Sequence, residues 1–128
     1  MILDTSAILA LLWSEPESSR LLAAIEADLD RRMSAASVVE SGIVVQARHG
    51  DAGERELDVL LNRMAIEVVP VTEEQAELAR SAFRRYGKGR HAAGLNYGDC
   101  FSYALAMVAD EPLLFTGDDF ARTDVRVA

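Results

Sequence analysis

The sequence predicts an α/β fold, a parallel sheet covered by helices on both faces. Three observations carry this. Short apolar runs alternate with longer stripes at helical spacing, and strands of about five residues alternating with helices of about twelve mark such a sheet. Ser or Thr stands three residues ahead of Glu or Gln at Ser14–Glu17, Ser37–Glu40 and Thr72–Gln75, the spacing of a capping box at a helix start. The 128 residues have room for one core, so residues 1–128 form one domain.

Taken in order, Met1 to Thr5 reads as a buried strand carrying Asp4 at its end. Ser14-Glu15-Pro16-Glu17 opens a helix with Leu21, Leu22, Ile25 and Leu29 on one stripe. Arg32 to Ala35 is a weaker strand. The helix from Ser37 carries Ile43, Val44 and Ala47 and ends near Gly50; another runs from about Gly53 to Met64. Glu67 to Val71 is a strand, and the helix after Thr72 carries Ala79, Ala82, Phe83 and Tyr86 on one apolar stripe. Gly87 to Asn96 is a basic, glycine-rich loop. Tyr97-Gly98-Asp99 opens a helix bearing Cys100, Tyr103, Ala104, Met107 and Val108. Pro112 to Thr116 is a strand, Gly117 to Phe120 a turn, and Val125 to Val127 a last strand or a frayed end. Trp13 with Leu9, Leu11 and Leu12 is more apolar than one helix face needs and reads as core or partner surface.

Half of the chain is apolar and 27% is charged, a globular composition. Charges interrupt every apolar run too early for a transmembrane helix, and the N-terminus reaches Asp4 too soon for a secretory signal. A single cysteine, Cys100, excludes an internal disulfide. Together these features favour the cytoplasm and no membrane. The net charge of −8 argues against general nucleic-acid binding, yet Arg84, Arg85, Lys88, Arg90 and His91 fall close together and could hold phosphates. The same strip also reads as a solvated helix end, where cations meet the C-terminal dipole.

Four acids stand where an α/β sheet places its ligands, at strand ends and following helix starts: Asp4, Glu40, Asp99 and Asp118. Carboxylates crowded together repel, and a hard cation such as Mg²⁺ or Mn²⁺ resolves the repulsion through oxygen ligation. A bound ion can acidify a water and stabilise the leaving oxygen of a phosphodiester, so no side-chain nucleophile is required. Each acid also has a structural reading. Glu40 is the capping partner of Ser37, Asp99 is favoured by a helix dipole, and Asp118 and Asp119 suit a turn. There is no P-loop, G-x-S-x-G, H-E-x-x-H or paired cysteine signature.

Three segments carry a family resemblance. Ile2-Leu3-Asp4-Thr5-Ser6-Ala7 resembles the opening of PIN-domain ribonucleases. Leu95 to Ala106, reading LNYGDCFSYALA, is similar to the segment with that family's third acid, in its VapC toxin form. Leu113 to Phe120, reading LLFTGDDF, resembles the strand and turn of the fourth position, and Ala36-Ser37-Val38-Val39-Glu40 supplies the second acid. The resemblance implies a three-layer α/β/α sandwich with a parallel sheet of about five strands, and Mg²⁺- or Mn²⁺-dependent cleavage of RNA. It implies Asp4, Glu40 and Asp99 as core metal-site acids and Asp118 as the fourth, with Asp119 adjacent. Thr5, Ser6 and Thr116 become candidate supports for carboxylates or waters. It also implies a homodimer and a small antitoxin whose tail blocks the acidic pocket.

Rival readings fare worse on the same residues. A receiver-type signalling domain needs an acid pair after the first strand and a lysine after the last, but Thr5 follows Asp4 and the sole lysine is Lys88. A haloacid-dehalogenase-type phosphatase needs D-x-D where Ser6 stands. A catalytically silent RNA-binding relative, or a DNA-cleaving nuclease of the same fold, differs only in what the acids do.

Overall fold

Four parallel strands lie in the order β3-β2-β1-β4 in the computed structural model, which describes residues Met1–Ala128. They are β1 (Ile2–Leu3), β2 (Arg32–Ser34), β3 (Glu67–Val69) and β4 (Leu113–Leu114). The helices are α1 (Thr5–Leu12), α2 (Ser18–Ala27), α3 (Ala35–Arg63), α4 (Glu73–Tyr86) and α5 (Tyr97–Ala109). The sheet has one strand fewer than the expected five. The final segment forms only one parallel bridge, Val127 to Leu113, so the fifth strand is vestigial. Its neighbours Asp124, Arg126 and Val127 are exposed, which leaves little apolar burial to extend the pairing.

The two faces of the sheet serve two cores, because successive strand residues point to opposite sides. Ile2 and Leu113 join Ala79 and Ala82 of α4 and Tyr103 to Ala106 of α5. Leu3 and Leu114 join Ala7 and Ile8 of α1, Leu21 and Ile25 of α2, and Val45, Leu57 and Leu61 of α3. The result is the expected α/β/α sandwich. β1 is central and buried on both faces, so Asp4 leaves the sheet from its interior.

Several helix starts differ from the sequence reading, each for a local reason. Asp4 is the N-cap of α1, and Thr5 is helical rather than the end of a strand. The leucines around Trp13 belong to this helix, half-buried against the core of α1 to α3, and Arg48 lies 4.2 Å over the Trp13 ring. Ser14 caps nothing: it sits in a left-handed turn at φ 51°, and α2 begins at Ser18 without a side-chain cap. Ser34, not Ser37, caps α3 by accepting from the Ala36 N–H. Ser37 and Glu40 are therefore inside the helix, and the capping reading of Glu40 falls. Gly50, at φ 61° and ψ −157°, breaks α3 near the expected boundary. Thr72 does cap α4 through the Gln75 N–H, but the Gln75 side chain donates to the Pro70 carbonyl instead of completing a box. No helix is long and apolar enough to cross a membrane.

This packing predicts a sharp contrast. Leu114, 1% exposed, should cost about 2–5 kcal/mol of unfolding free energy when replaced by Ala. Leu29→Ala, at a position 92% exposed, should stay within about 0.5 kcal/mol of the parent. Urea unfolding followed by circular dichroism measures both, and equal losses would show that Leu114 is not a core residue.

Candidate active site

Asp4 is 3% exposed, and a carboxylate so enclosed needs partners. It has two. The Ser6 N–H donates to Oδ2 at 2.9 Å, and the Ser102 hydroxyl donates to Oδ1 at 2.6 Å. Ser102 Oγ lies 3.1 Å from Ser37 Oγ, and both serines are buried. Ser6 reaches the next strand as well, its hydroxyl accepting from the Thr116 N–H at 3.1 Å. Thr5 donates to the Ser37 carbonyl at 3.3 Å. Thr5 and Ser6 thus tie the first turn of α1 to α3 and to the end of β4, while Thr116 contributes its backbone.

Glu40 extends from α3 against Gly98, and a side chain at position 98 would overlap its carboxylate. One residue later, Asp99 forms a reciprocal capping box with Asn96. The Asn96 N–H donates to Asp99 Oδ2 at 2.8 Å, and the Asp99 N–H donates to Asn96 Oδ1 at 2.9 Å. The helix-start reading of Asp99 therefore holds, but it leaves the acid inside a shared field. Burial, then the charge of Asp4, raises the Glu40 pKa, and the Thr5 hydroxyl opposes this. The Asp99 pKa is pushed up to about 7, first by burial, then by Asp4, Glu40 and Asp119, against the Asn96 hydrogen bond. Both Asp118 and Asp119 are exposed on the turn at Gly117, and Asp119 is the one whose charge contributes to the Asp99 shift.

The protein side chains alone do not form a closed cage. No three His, Cys, Asp or Glu side chains close round one point tightly enough to hold an ion. The donor chemistry nevertheless fits Mg²⁺ or Mn²⁺. All the convergent donors are oxygens, and Mg²⁺ usually keeps several waters and takes only one or two carboxylates. Asp4, Glu40 and Asp99 are the residues that would hold such an ion.

The cation strip divides. Arg85 is committed to Asp124 at 3.0 Å and to the Tyr86 hydroxyl at 2.8 Å. The His91 Nδ1 accepts from the Ala93 N–H, and its ring packs edge-on against Tyr86. Lys88 is exposed, and the Arg90 guanidinium stands 5.8 Å from the Phe83 ring centre. Arg84 lines an apolar groove of about 590 Å³ between α4 and α5, with Arg80, Phe83, Tyr97 and Phe101.

In the sequence, Ser102 and Gly98 carry no role of their own, and Ser37 is marked only as a helix cap. Their signal was present only as spacing: Ser102 follows Asp99 by three residues, and Ser37 precedes Glu40 by three. Residues three apart on a helix lie on one face.

The raised acids predict a pH dependence of metal-free stability. Asp99 and Glu40 hold protons more tightly folded than unfolded, so their folded forms lose stability as pH rises from about 4 through about 7. Asp28 and Asp124 have lowered pKa values and act with the opposite sign below that window. The metal-free melting temperature should fall between about pH 4.5 and about pH 7.5, and Asp99→Asn, which keeps a capping oxygen, should flatten the fall. Parallel curves for the two proteins in differential scanning calorimetry would refute the assignment.

The PIN domain family model matches residues 1–126. A VapC ribonuclease of Mycobacterium bovis is 55% identical over 125 residues, covering 98% of this chain and 95% of the relative. Ribonuclease VapC30 of Mycobacterium tuberculosis has the same identity and coverage. A ribonuclease VapC of Mycolicibacterium smegmatis is 54% identical, covering 98% of this chain and 97% of its own. Among solved structures, VapC20 of Mycobacterium tuberculosis, described as a sarcin-ricin loop cleaving toxin, superposes with a TM-score of 0.79 at 15% identity, covering 99% and 97% of the two chains. VapBC-1 of nontypeable Haemophilus influenzae gives 0.74 at 18% identity, covering 99% and 95%. These two likenesses speak for the fold alone; the family model and the close relatives go further, and the chain belongs to the PIN-domain family, in its VapC branch.

Proposed function

We propose that this chain is a metal-dependent ribonuclease acting as the toxin of a toxin–antitoxin pair in the cytoplasm. The observation that carries the reading is the convergence of Asp4, Glu40 and Asp99, where burial and then mutual repulsion raise the Glu40 and Asp99 pKa values, in a chain 55% identical to named ribonucleases. Structural folding has little use for such repulsion, whereas phosphodiester hydrolysis does.

When bound, Mg²⁺ or Mn²⁺ would supply Lewis-acid charge at the scissile phosphate and acidify an attacking water. The chain's own part is orientation. Asp4 presents a carboxylate fixed at both oxygens. Glu40 reaches in over Gly98, whose lack of a side chain keeps the approach open. Asp99 is held at the first turn of α5 by Asn96. Asp119, with Asp118 beside it, adds negative charge from the Gly117 turn. Thr5 and Ser6 brace the backbone that carries Asp4.

Arg84, Lys88 and Arg90 are the strip residues best placed to meet RNA phosphates, since Arg85 is already paired. A homodimer and an antitoxin complete the reading. The antitoxin is supported by structural neighbours described as VapBC and toxin–antitoxin complexes. An antitoxin arginine entering among the acids would pair with them and oppose metal binding.

Two measurements test this. Purified protein should cleave single-stranded RNA with Mg²⁺ or Mn²⁺ and stop in EDTA. Asp4→Asn and Asp99→Asn should each lose orders of magnitude of cleavage while melting cooperatively; wild-type rates in both would refute the site. Separately, neutralising Arg84, Lys88 and Arg90 together should weaken RNA binding and flatten its salt dependence, the log–log slope falling by roughly 0.7 for each phosphate no longer neutralised. Neutralising Arg85 alone should change the slope less. An unchanged slope in the triple variant would place the RNA-binding surface elsewhere.

A further inference from the structure

The buried serine pair beneath the acids has a definite direction. A hydroxyl has one proton to donate and lone pairs to accept. Asp4 ionised can only accept, so Ser102 spends its proton on Asp4 Oδ1 at 2.6 Å. Ser102 can then only accept from Ser37, 3.1 Å away. The proton order is Ser37 to Ser102 to Asp4. Ser37 is 1% exposed and Ser102 0%, so no solvent competes for either link.

Packing alone does not call for these hydroxyls. Ser102 lies in a run of small or apolar buried residues that includes Ala104 and Ala106, and Ala would fill the position without a polar group to satisfy. What the hydroxyl adds is a fixed lone pair. A carboxylate has roughly four acceptor sites. Ser6 takes one on Oδ2 and Ser102 one on Oδ1, which leaves one on each oxygen. The relay also joins three elements: β1 through Asp4, α3 through Ser37 and α5 through Ser102. Since Glu40 shares the Ser37 face and Asp99 the Ser102 face, the relay sets the register of the acids against one another.

We propose that Ser102, held by Ser37, is a positioning residue that fixes the Asp4 carboxylate for a divalent cation. This rests on the reading of Asp4 as a metal ligand. Ser102 does not touch the ion or the RNA in this scheme. It acts by denying Asp4 other orientations, as second partners of metal ligands do.

The test measures Mn²⁺ binding to the full chain by titration calorimetry, with free Mn²⁺ counted by electron paramagnetic resonance. Wild-type binding that Asp4→Asn abolishes establishes the ligand reading itself; without it that reading fails, and the relay with it. Given binding, Ser102→Ala should weaken Mn²⁺ affinity about 10- to 100-fold. Ser37→Ala should weaken it less, and the double variant should match Ser102→Ala, because the outer link works only through the inner one. Ser41, also buried but donating only to the Ser37 carbonyl, is the control. Ser41→Ala should lower the melting temperature without changing Mn²⁺ affinity. In RNA cleavage, Ser102→Ala should lower kcat and leave KM unchanged. Mn²⁺ affinity of Ser102→Ala within twofold of wild type overturns the proposal, as does an additive double variant. If Ser102→Ala does not melt cooperatively, Ser37→Ala decides alone, and wild-type affinity there overturns it equally.

Discussion

Burying the Asp4 carboxylate is the constraint on which the arrangement depends. β1 is the central strand, and both of its residues are fully buried, one in each core. The chain leaves this interior directly into an acid, so that acid cannot reach bulk water for its hydrogen bonds. The local solution is α1, whose first free N–H donors include that of Ser6. The long-range solution is Ser102, 98 residues away in sequence. Asp4 therefore fixes where α1 starts and where α5 must pass, and α5 brings Asp99 with it.

The other acids follow from that placement and work against it. Burial first, and then the charge of each neighbouring carboxylate, makes ionisation harder, and Asp99 bears most of the burden, at a pKa of about 7. A folded domain tolerates this because stability is gathered elsewhere, in two apolar layers that contain none of the four candidate acids. The rim is free to be electrostatically unfavourable as long as the layers hold. Gly98 shows the same division at the scale of one residue. It contributes no side chain to any core, and its bareness keeps space for Glu40.

Much of this was legible in the sequence, and the exceptions share a cause. Sheet-forming runs, the break at Gly50 and the helix from Tyr97 were readable because they depend on neighbours in the chain. The start of α3 was not, because Ser34 and Ser37 are both serines ahead of a helical stripe, and only the pairing of β2 with β1 and β3 decides between them. Helix α1 was hidden because its Leu-rich sequence buries more than one face and so lacks a clean amphipathic period. Among site residues, the acids stood out because charge at strand ends is unusual. Ser102 did not, because a serine in a small-residue helix carries no signal until its partner across the fold is known.

The distribution of charge bears on the proposed RNA substrate. A chain at −8 repels RNA at long range, and the repulsion is strongest at the acids themselves. Attraction must then come from a local surface that the protein has not already neutralised. Arg85 fails that condition, since Asp124 and the Tyr103 hydroxyl form a closed network with it. Arg84 meets it on the wall of the α4–α5 groove, and Lys88 and Arg90 meet it in the following loop. That loop leads straight to Asn96, the cap that holds Asp99. The unpaired cations and Asp99 thus sit at two ends of one short segment. On the proposed reading, phosphate binding at one end and charge compensation at the other would be carried by the same stretch of chain.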